Sequence, residues 1–215
     1  MTGVAPDGSP VALYARLPPL GEPELIHAAV PAQAEILELG AGAGRVTHAL
    51  LRHGHPVVAV DNSAEMLALI DGAETVLADI ESLDLGRRFL VVVLASNFIN
   101  HPDKTERRAL LACCARHVRP DGQVLLQGFP RDWTPRTDWS EHGDVRLRLR
   151  SFTLDGDLVS GEMEYVVDGR QLLHDFESRM LSAEQQDQDL AAVGLRRGRE
   201  LDDGGSWIEA VPVRS

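Results

Sequence analysis

The feature that most constrains this chain is a regular alternation of short apolar runs with helix-like stretches between residues 34 and 130. Five such runs predict strands at residues 34–39, 56–60, 74–78, 88–95 and 123–128. The fourth run is almost wholly apolar, which is typical of a strand buried on both faces of a parallel sheet. Strands that alternate with helices indicate βαβ units with right-handed crossovers. The sequence therefore predicts an α/β fold built on a doubly wound, mostly parallel sheet.

Beyond Pro130 the apolar pattern changes to a period of two. Three alternating runs predict antiparallel strands at residues 145–150, 158–167 and 171–180. Asp-Gly pairs between these runs are a strong signal for hairpin turns, so we expect a small antiparallel β-meander after the fifth strand. The arginines of the first run share one face, and we expect them to pair with Glu162 and Glu164 on the next strand. The alternative is that they recognise an acidic substrate.

The C-terminal part predicts one more helix and two closing strands. Ser182 is typical of a helix N-cap, and Gly194 is typical of the residue that ends a helix. The segments 199–201 and 206–213 then predict two strands that complete the core sheet.

Composition and charge exclude several classes of protein. The 215 residues carry a formal net charge of −12, and an acidic surface repels phosphate backbones, so we expect no nucleic-acid partner. The sequence shows no signal-peptide pattern and no apolar run near the ~20 residues that a membrane span needs. The two cysteines, Cys113 and Cys114, are adjacent and form neither a disulfide framework nor a metal pattern. We therefore expect a cytoplasmic protein without a membrane partner or a metal.

A glycine-rich turn lies between the first strand and the next helix. Glu38 precedes three glycines with the spacing Gly-x-Gly-x-Gly, and Arg45 occupies the position of the third glycine of a dinucleotide fingerprint. Glycines let the backbone turn tightly and let a ligand approach closely. A carboxylate at Glu38 suits a ligand with an ammonium group better than a pyrophosphate. The alternative is a plain βα turn that binds no ligand.

Acidic residues end the second and third strands. Asp61 can accept hydrogen bonds from both hydroxyls of a ribose, as in nucleoside-binding folds, although it can also simply cap the next helix. Asp79 can accept the amino group of an adenine while Ile80 covers the ring, although it can also be a solvated loop acid. Both residues indicate an adenosine-containing ligand without deciding which one.

These segments, in their order and spacing, resemble the motifs of class I S-adenosylmethionine-dependent methyltransferases, and the turn at residues 118–122 is the last of them. The resemblance spans about residues 34–130. The tail is also similar to small-molecule N-methyltransferases such as those acting on amino sugars, which share an antiparallel excursion and a helix ending in Ala-x-x-Gly-Leu, here Ala191 to Leu195. The resemblance implies the Rossmann-like class I methyltransferase fold. It also implies S-adenosylmethionine as the cofactor, and in-line methyl transfer to a small-molecule acceptor.

The resemblance also implies residue roles. The glycines cradle the methionine and ribose parts of the cofactor, Asp61 holds the ribose, and Ala95 lines the methionine side. The cofactor-binding residues implied in this way are Glu38, Gly40, Ala41, Gly42, Gly44, Asp61, Asn62, Met66, Asp79, Ile80 and Ala95. The stretch after the fourth strand, residues 96–101, departs from the Asn/Asp-Pro-Pro-Tyr/Phe signature of enzymes that methylate amino groups of nucleic acids and proteins. That departure argues further against a nucleic-acid substrate.

Two histidines are candidate catalytic bases, because an imidazole titrates near neutral pH. His101 follows the fourth strand at the rim of the predicted site, and His174 lies in the meander. The alternatives are a loop-capping role for His101 and a position on a plain strand face for His174. Four further residues are candidate substrate contacts, with packing, turn formation or loop anchoring as their alternatives: Tyr14, Asn97, Asn100 and Trp133.

We therefore expect four parts along the chain. They are an N-terminal segment and partial lid at 1–33, an S-adenosylmethionine-binding core at 34–130, the meander as substrate or oligomer region at 131–181, and the C-terminal helix with closing strands at 182–215. The exposed meander strands make a homodimer an additional expectation.

Two other functions stay open: a non-catalytic S-adenosylmethionine-binding module of the same fold, and an NAD-dependent oxidoreductase. The glycine spacing and the absence of an obvious Tyr-x-x-x-Lys pair argue against the oxidoreductase. The identity of the acceptor, and whether N, O, C or S is methylated, are not predicted.

Overall fold

The computed structural model describes residues 3–6 and 8–213, so five residues of the predicted N-terminal and C-terminal parts (Met1, Thr2, Asp7, Arg214 and Ser215) lie outside the described residues. Six α-helices are described there: α1 Val11–Tyr14, α2 Glu22–Ala29, α3 Thr47–Arg52, α4 Ala64–Leu67, α5 Lys104–His117 and α6 Ala183–Ala192. Two short 3-10 helices cover Ile80–Ser82 and Phe98–Asn100. In this part of the chain no helix is long and apolar enough to cross a membrane.

Eleven strands are described in the same residues and form two sheets. Those of the larger sheet are β1 Ile36–Leu39, β2 Val57–Asp61, β3 Glu74–Leu77, β4 Phe89–Leu94, β5 Val118–Gln127, β10 Leu195–Glu200 and β11 Trp207–Pro212. Those of the smaller sheet are β6 Ser140–His142, β7 Val145–Asp155, β8 Leu158–Val167 and β9 Arg170–Arg179.

The larger sheet has the order β3-β2-β1-β4-β5-β11-β10. Strands β1 to β5 are parallel, and β11 lies antiparallel between β5 and β10. The chain moves outward from β1 to β3 and then returns to the other side of β1 for β4. The carboxyl ends of β1 and β4 therefore flank a topological switch point, where doubly wound folds bind ligands. The predicted fold class is confirmed.

The smaller sheet is the predicted meander, with the order β6-β7-β8-β9. The predicted cross-strand pairs are present, because Arg148 donates to Glu164 and Arg150 donates to Glu162. The meander is larger than the sequence predicts. Strand β7 continues to Asp155, past the register shift that follows Leu149, and β6 adds a short edge strand.

Several element boundaries differ from the prediction. Helix α4 covers only four residues, and the Ser63 hydroxyl caps it by accepting from the Met66 N–H. Strand β5 begins directly after α5, at Val118, with a register shift against β4 in place of a separate turn. Strand β10 begins at Leu195, four residues earlier than predicted, because Gly194 takes a positive φ of 77° and returns the chain to the sheet at once.

The core lies on both faces of the larger sheet, and β4 is its centre. Residues Val91 to Leu94 are fully buried between two apolar layers. Cys113 and Cys114 of α5 pack in one of these layers, and burial raises the pKa of the Cys113 thiol to about 12. Both cysteines are therefore packing residues, as adjacent thiols in an apolar helix are expected to be.

A buried ion pair joins α5 to α6. The Arg107 Nε donates to Asp189 Oδ2 at 2.7 Å, and Arg108 Nε donates to Asp189 Oδ1 at 2.7 Å. Burial alone would raise the pKa of Asp189, but the hydrogen bonds and positive charges of the two arginines hold that pKa below its usual range. The Asp189 carboxylate is therefore charged inside the protein, and both arginines stabilise that charge.

A second carboxyl group is buried in β1. Glu38 is 3 % exposed, and its Oε2 accepts a hydrogen bond from the Thr47 hydroxyl at 2.6 Å. Burial raises the pKa of Glu38 to about 7, against the opposing effects of the Thr47 bond and the Arg45 charge. Arg45 itself pairs with the buried Glu22 at the start of α2. This network ties the N-terminal helix to the segment beneath the glycine turn.

We predict that Asp189→Asn destabilises the protein by about 3–5 kcal/mol, because it leaves the buried Arg107 charge without its carboxylate. Urea unfolding followed by far-UV circular dichroism measures the change. The matched control is Asp187→Asn on the same helix, because Asp187 is exposed and pairs with Arg197 at the surface. The control should cost at most about 1 kcal/mol. Equal losses in the two variants would show that burial of the pair has no special weight.

We predict that Glu38→Gln removes one component of the pH dependence of stability. Between pH 4.5 and about 7, Glu38 is ionised in the unfolded chain and protonated in the folded one, so the wild-type free energy of unfolding falls as the pH rises through this window. The size of this fall is on the order of 3 kcal/mol. The difference between wild type and variant should therefore change with pH and level off above 7. Glu35→Gln, three residues earlier in the chain and half-buried, is the control, and its free energy of unfolding is measured over the same pH range.

Candidate active site

A cavity of about 480 Å³ opens at the carboxyl edge of the larger sheet. Its walls come from the glycine turn, the ends of β2 and β3, the loop after β4, the N-terminal segment and strand β9 of the meander. The volume lies within the ~300–1,000 Å³ of small-molecule sites. The cavity therefore joins the two sheets at the switch point of the fold.

The three glycines of the turn differ in what they face. Gly40, Gly42 and Gly44 all have positive φ, at 74°, 55° and 81°. A Cβ atom on Gly42 would meet nothing within 4 Å, whereas one on Gly44 would lie 2.8 Å from Ile70 Cγ1. Gly42 thus leaves room on the cavity side, and Gly44 allows Ile70, which lies after α4, to pack closely.

Asp61 ends β2 and faces the turn. Its Oδ2 accepts from the Gly42 N–H at 2.8 Å, and its Oδ1 accepts from the Ser63 N–H at 2.9 Å. A carboxylate has about four acceptor positions, so about two remain for hydroxyls of a ligand. Asp61 therefore fixes the turn and the start of α4 while it lines the cavity. Asp61 can therefore hold the start of the next helix and still have acceptor positions for ribose hydroxyls.

The wall beyond Asp61 is partly apolar. Met66 and Ile80 are buried and line the cavity, as does Asn62. Asn62 Nδ2 donates to Asp79 Oδ1 at 3.2 Å. Asp79 itself is exposed and does not belong to the lining. In this structure its carboxylate orients the Asn62 side chain, which does line the cavity.

Besides Asp79, four residues with predicted cofactor roles do not belong to the cavity lining: Glu38, Ala41, Gly44 and Ala95. Ala95 and Ala41 pack in the apolar layer beneath β1 and β4. Glu38 lies behind the turn and bonds Thr47, so its carboxyl supports the turn from below. Direct contact of Glu38 with an ammonium group of a ligand stays a prediction.

The N-terminal segment covers one side of the cavity. Ala5, Ser9 and Tyr14 belong to the lining. Val11 is buried against the region of Ala43 and Met66, while Leu13 is buried against the meander. The segment therefore bridges the glycine turn and the smaller sheet.

The two candidate bases, His101 and His174, differ in whether their ring nitrogens contact other protein groups. His101 lies at the rim, where its Nδ1 accepts from the Asp103 N–H at 3.2 Å and its Nε2 lies 3.1 Å from Glu106 Oε2. Both ring nitrogens are thus engaged at the start of α5, which is the loop-capping role. His174 lines the cavity from β9, and within the described part of the chain its ring makes no hydrogen bond or ion pair. Of the two rings, only that of His174 lines the cavity without a protein partner among the described residues.

The remaining predicted contacts divide in the same way. Asn97 lines the cavity with a φ of 60°. Asn100 is 2 % exposed, donates from Nδ2 to the Arg179 carbonyl at 2.7 Å and accepts at Oδ1 from the Phe129 N–H at 3.3 Å. Trp133 packs against Phe129, with ring centroids 4.7 Å apart and ring planes tilted by 41°, and lies outside the lining. Asn100 and Trp133 therefore hold loops in place.

Sequence reasoning did not identify two aromatic residues of the cavity wall, Phe98 and Phe176. Phe176 could have been predicted from the sequence, because alternation along β9 places Phe176 on the same face as His174. Phe98 carried no such signal, because its position depends on how the loop after β4 folds. Among the described residues, no group of three or more His, Cys, Asp or Glu side chains is arranged to hold a metal ion.

Comparisons with known proteins agree with this geometry. Residues 36–122 match a family model described as a methyltransferase domain. An uncharacterized methyltransferase of Mycobacterium tuberculosis is 37 % identical over 158 residues, which are 71 % of this chain and 60 % of that protein. The chain thus spans less than two thirds of the length of this relative.

Two solved structures share the fold. The CcbJ methyltransferase of Streptomyces caelestis has a TM-score of 0.74 and 20 % identity, over 95 % of this chain and 96 % of that one. An amino pentose methyltransferase of Micromonospora echinaspora, solved with S-adenosylmethionine bound, has a TM-score of 0.69 and 22 % identity, over 88 % of both chains. The matched domain, the relative and the shared fold agree with the prediction made from the strand-end motifs: residues 36–122 match a methyltransferase domain, and the chain has the fold of class I methyltransferases.

Proposed function

We propose that this protein transfers a methyl group from S-adenosylmethionine to an amine of a small molecule. The observation that carries the proposal is one cavity with two different walls. The glycine turn and Asp61 form the first wall, and β9 with His174 forms the second. A cofactor on the first wall would face an acceptor on the second.

The residues present fit S-adenosylmethionine. The open space over Gly42 admits a ligand close to the backbone, and the remaining acceptor positions of Asp61 suit ribose hydroxyls. The buried side chains of Met66 and Ile80 suit the flat faces of an adenine. No position for a pyrophosphate is evident beside them, because Asp61 faces the Gly42 N–H that such a group would use.

The charge of the cavity favours an amine acceptor. Asp61 and Glu81 belong to its lining, and so do Asp175 and Glu177, whose side chains alternate with His174 and Phe176 and lie at the exposed edge of β9. The described lining contains no lysine or arginine. A cleft lined by one sign of charge attracts the opposite sign. The name of the amino pentose methyltransferase, whose fold this chain shares, points to the same class of acceptor.

The chain's own residues supply positioning and a base. When bound, S-adenosylmethionine supplies a methyl group on a positively charged sulfur. The Tyr14 segment and the meander exclude water from the space between cofactor and acceptor, which is where orientation lowers the barrier. Aliphatic amines are largely protonated at neutral pH, so the attacking nitrogen must first lose a proton. His174 accepts that proton at a free ring nitrogen.

We propose a cellular location and partners on the same basis. A cytoplasmic protein that acts on small molecules, without nucleic-acid or membrane partners, is consistent with the acidic composition. We also propose that two copies associate through the meander, where the strand segment 151–155 is exposed.

We predict that S-adenosylmethionine binds with micromolar affinity in isothermal titration calorimetry and that NAD does not bind. Asp61→Ala should weaken this binding by roughly tenfold or more, because hydrogen bonds to a charged group contribute about 1.5–3 kcal/mol. Asp79→Ala, at the exposed strand end beside it, is the control and should weaken binding less than about threefold. Binding of NAD alone would contradict the proposal.

We predict that His174→Gln lowers methyl transfer by about 100-fold, the usual contribution of a general base. Mass spectrometry of a panel of small amines measures the product, and each amine is tested beside a phosphorylated or carboxylated counterpart, which should react poorly in the acidic cavity. His101→Gln is the matched control and should retain most of the activity. Cofactor binding with no methylated amine would instead indicate a non-catalytic binding module.

A further inference from the structure

Phe98 packs directly against the first glycine of the turn. A Cβ atom on Gly40 would lie 2.5 Å from Phe98 Cε2 and 3.0 Å from its Cζ, so the ring touches the backbone there. Phe98 is half-buried and also lines the cavity. Its ring therefore forms the wall where the carboxyl ends of β1 and β4 meet.

The loop that carries Phe98 is fixed from several sides. Ser96 and Asn97 both take left-handed backbone conformations, with φ of 56° and 60°. Two consecutive residues of this kind are unfavourable outside glycine and persist only where the surroundings hold them. The Ser96 N–H donates to Gln127 Oε1 at 2.8 Å, and the buried Arg107 donates from Nη1 to the His101 carbonyl at 2.7 Å. The ring position is thus set by the protein before any ligand binds.

The order of the strand ends places the Phe98 ring beside the sulfur of a bound cofactor. Ribose and adenine groups are provided for at the ends of β2 and β3, by Asp61, Met66 and Ile80. The acceptor side lies at β9, with His174 and Phe176. The methyl-bearing sulfur must lie between these two ends, because the methyl group has to face the acceptor.

We infer that Phe98 is a specificity-determining residue that recognises the positive charge of the sulfonium, and so favours the methyl donor over the spent, uncharged product. The inference rests on the proposed function. The face of an aromatic ring is electron-rich and attracts a cation, most strongly where water is excluded. S-Adenosylhomocysteine carries a neutral thioether at the same place, so the ring gives it no such stabilisation. Discrimination of this kind helps the product leave.

Calorimetric titration of three ligands into the full chain tests the inference. S-Adenosylmethionine carries a sulfonium, sinefungin carries an ammonium group in its place, and S-adenosylhomocysteine is neutral there. Phe98→Leu should raise the Kd of the two cationic ligands about 3- to 10-fold and that of the neutral ligand less than twofold. Phe98→Tyr keeps a ring and should keep the wild-type ratio.

Phe176→Leu is the matched control, because Phe176 is an aromatic residue of the same cavity on the acceptor side. It should leave the ratio of the Kd values unchanged. Equal weakening of all three ligands by Phe98→Leu would overturn the inference, since the ring would then act by packing alone, and so would an equal change of the ratio by Phe176→Leu. Failure of the wild-type protein to bind any of the three would instead remove the proposed function, and the inference with it.

Discussion

The site depends on the hydrogen bonds that tie the glycine turn to the end of β2. The N–H groups of Gly40 and Ala41 both donate to the Val60 carbonyl at 2.9 Å, and the Gly42 N–H donates to Asp61. Gly40 and Gly42 both take positive φ, which glycine does at little cost, and this bends the turn so that its amides face the neighbouring strand. The turn is therefore held by β2 and needs no ligand to shape it. The open side of Gly42 and the remaining lone pairs of Asp61 both face the cavity as a consequence.

The core fold was predictable because its signals are local. Apolar runs of strand length, separated by capped helices, determine β1 to β5 almost independently of the rest of the chain, and the Asp-Gly turns determine the meander. The misplaced boundaries have non-local causes. Strand β7 extends through Asp155 because β8 offers a partner along its whole length, although residues 151–155 show little burial. Strand β6 is three residues long and exists only as an edge of β7.

The candidate site was predictable where residue type and strand position coincide, as at Gly42, Asp61 and Ile80. It was not predictable where a polar side chain has a choice of partners. Asn100 has the residue type of a substrate contact, yet its amide satisfies two backbone groups of neighbouring elements. Glu38 has the residue type of an ammonium ligand, yet the fold turns its carboxyl towards Thr47. In both cases tertiary burial decides the role, since a buried polar group must find a partner inside the protein.

Buried polar groups also explain how two separate sheets form one cavity. Asn100 bonds the Arg179 carbonyl at the end of β9, while Arg107 bonds both Asp189 of α6 and the His101 carbonyl. Apolar contacts alone tolerate sliding, whereas hydrogen bonds at fixed donors and acceptors set a register. The loop after β4 is therefore held at the same time by the larger sheet, by α6 and by the meander. The wall that would carry the cofactor and the wall that would carry the acceptor are thus fixed relative to each other, which is the condition that an in-line transfer requires.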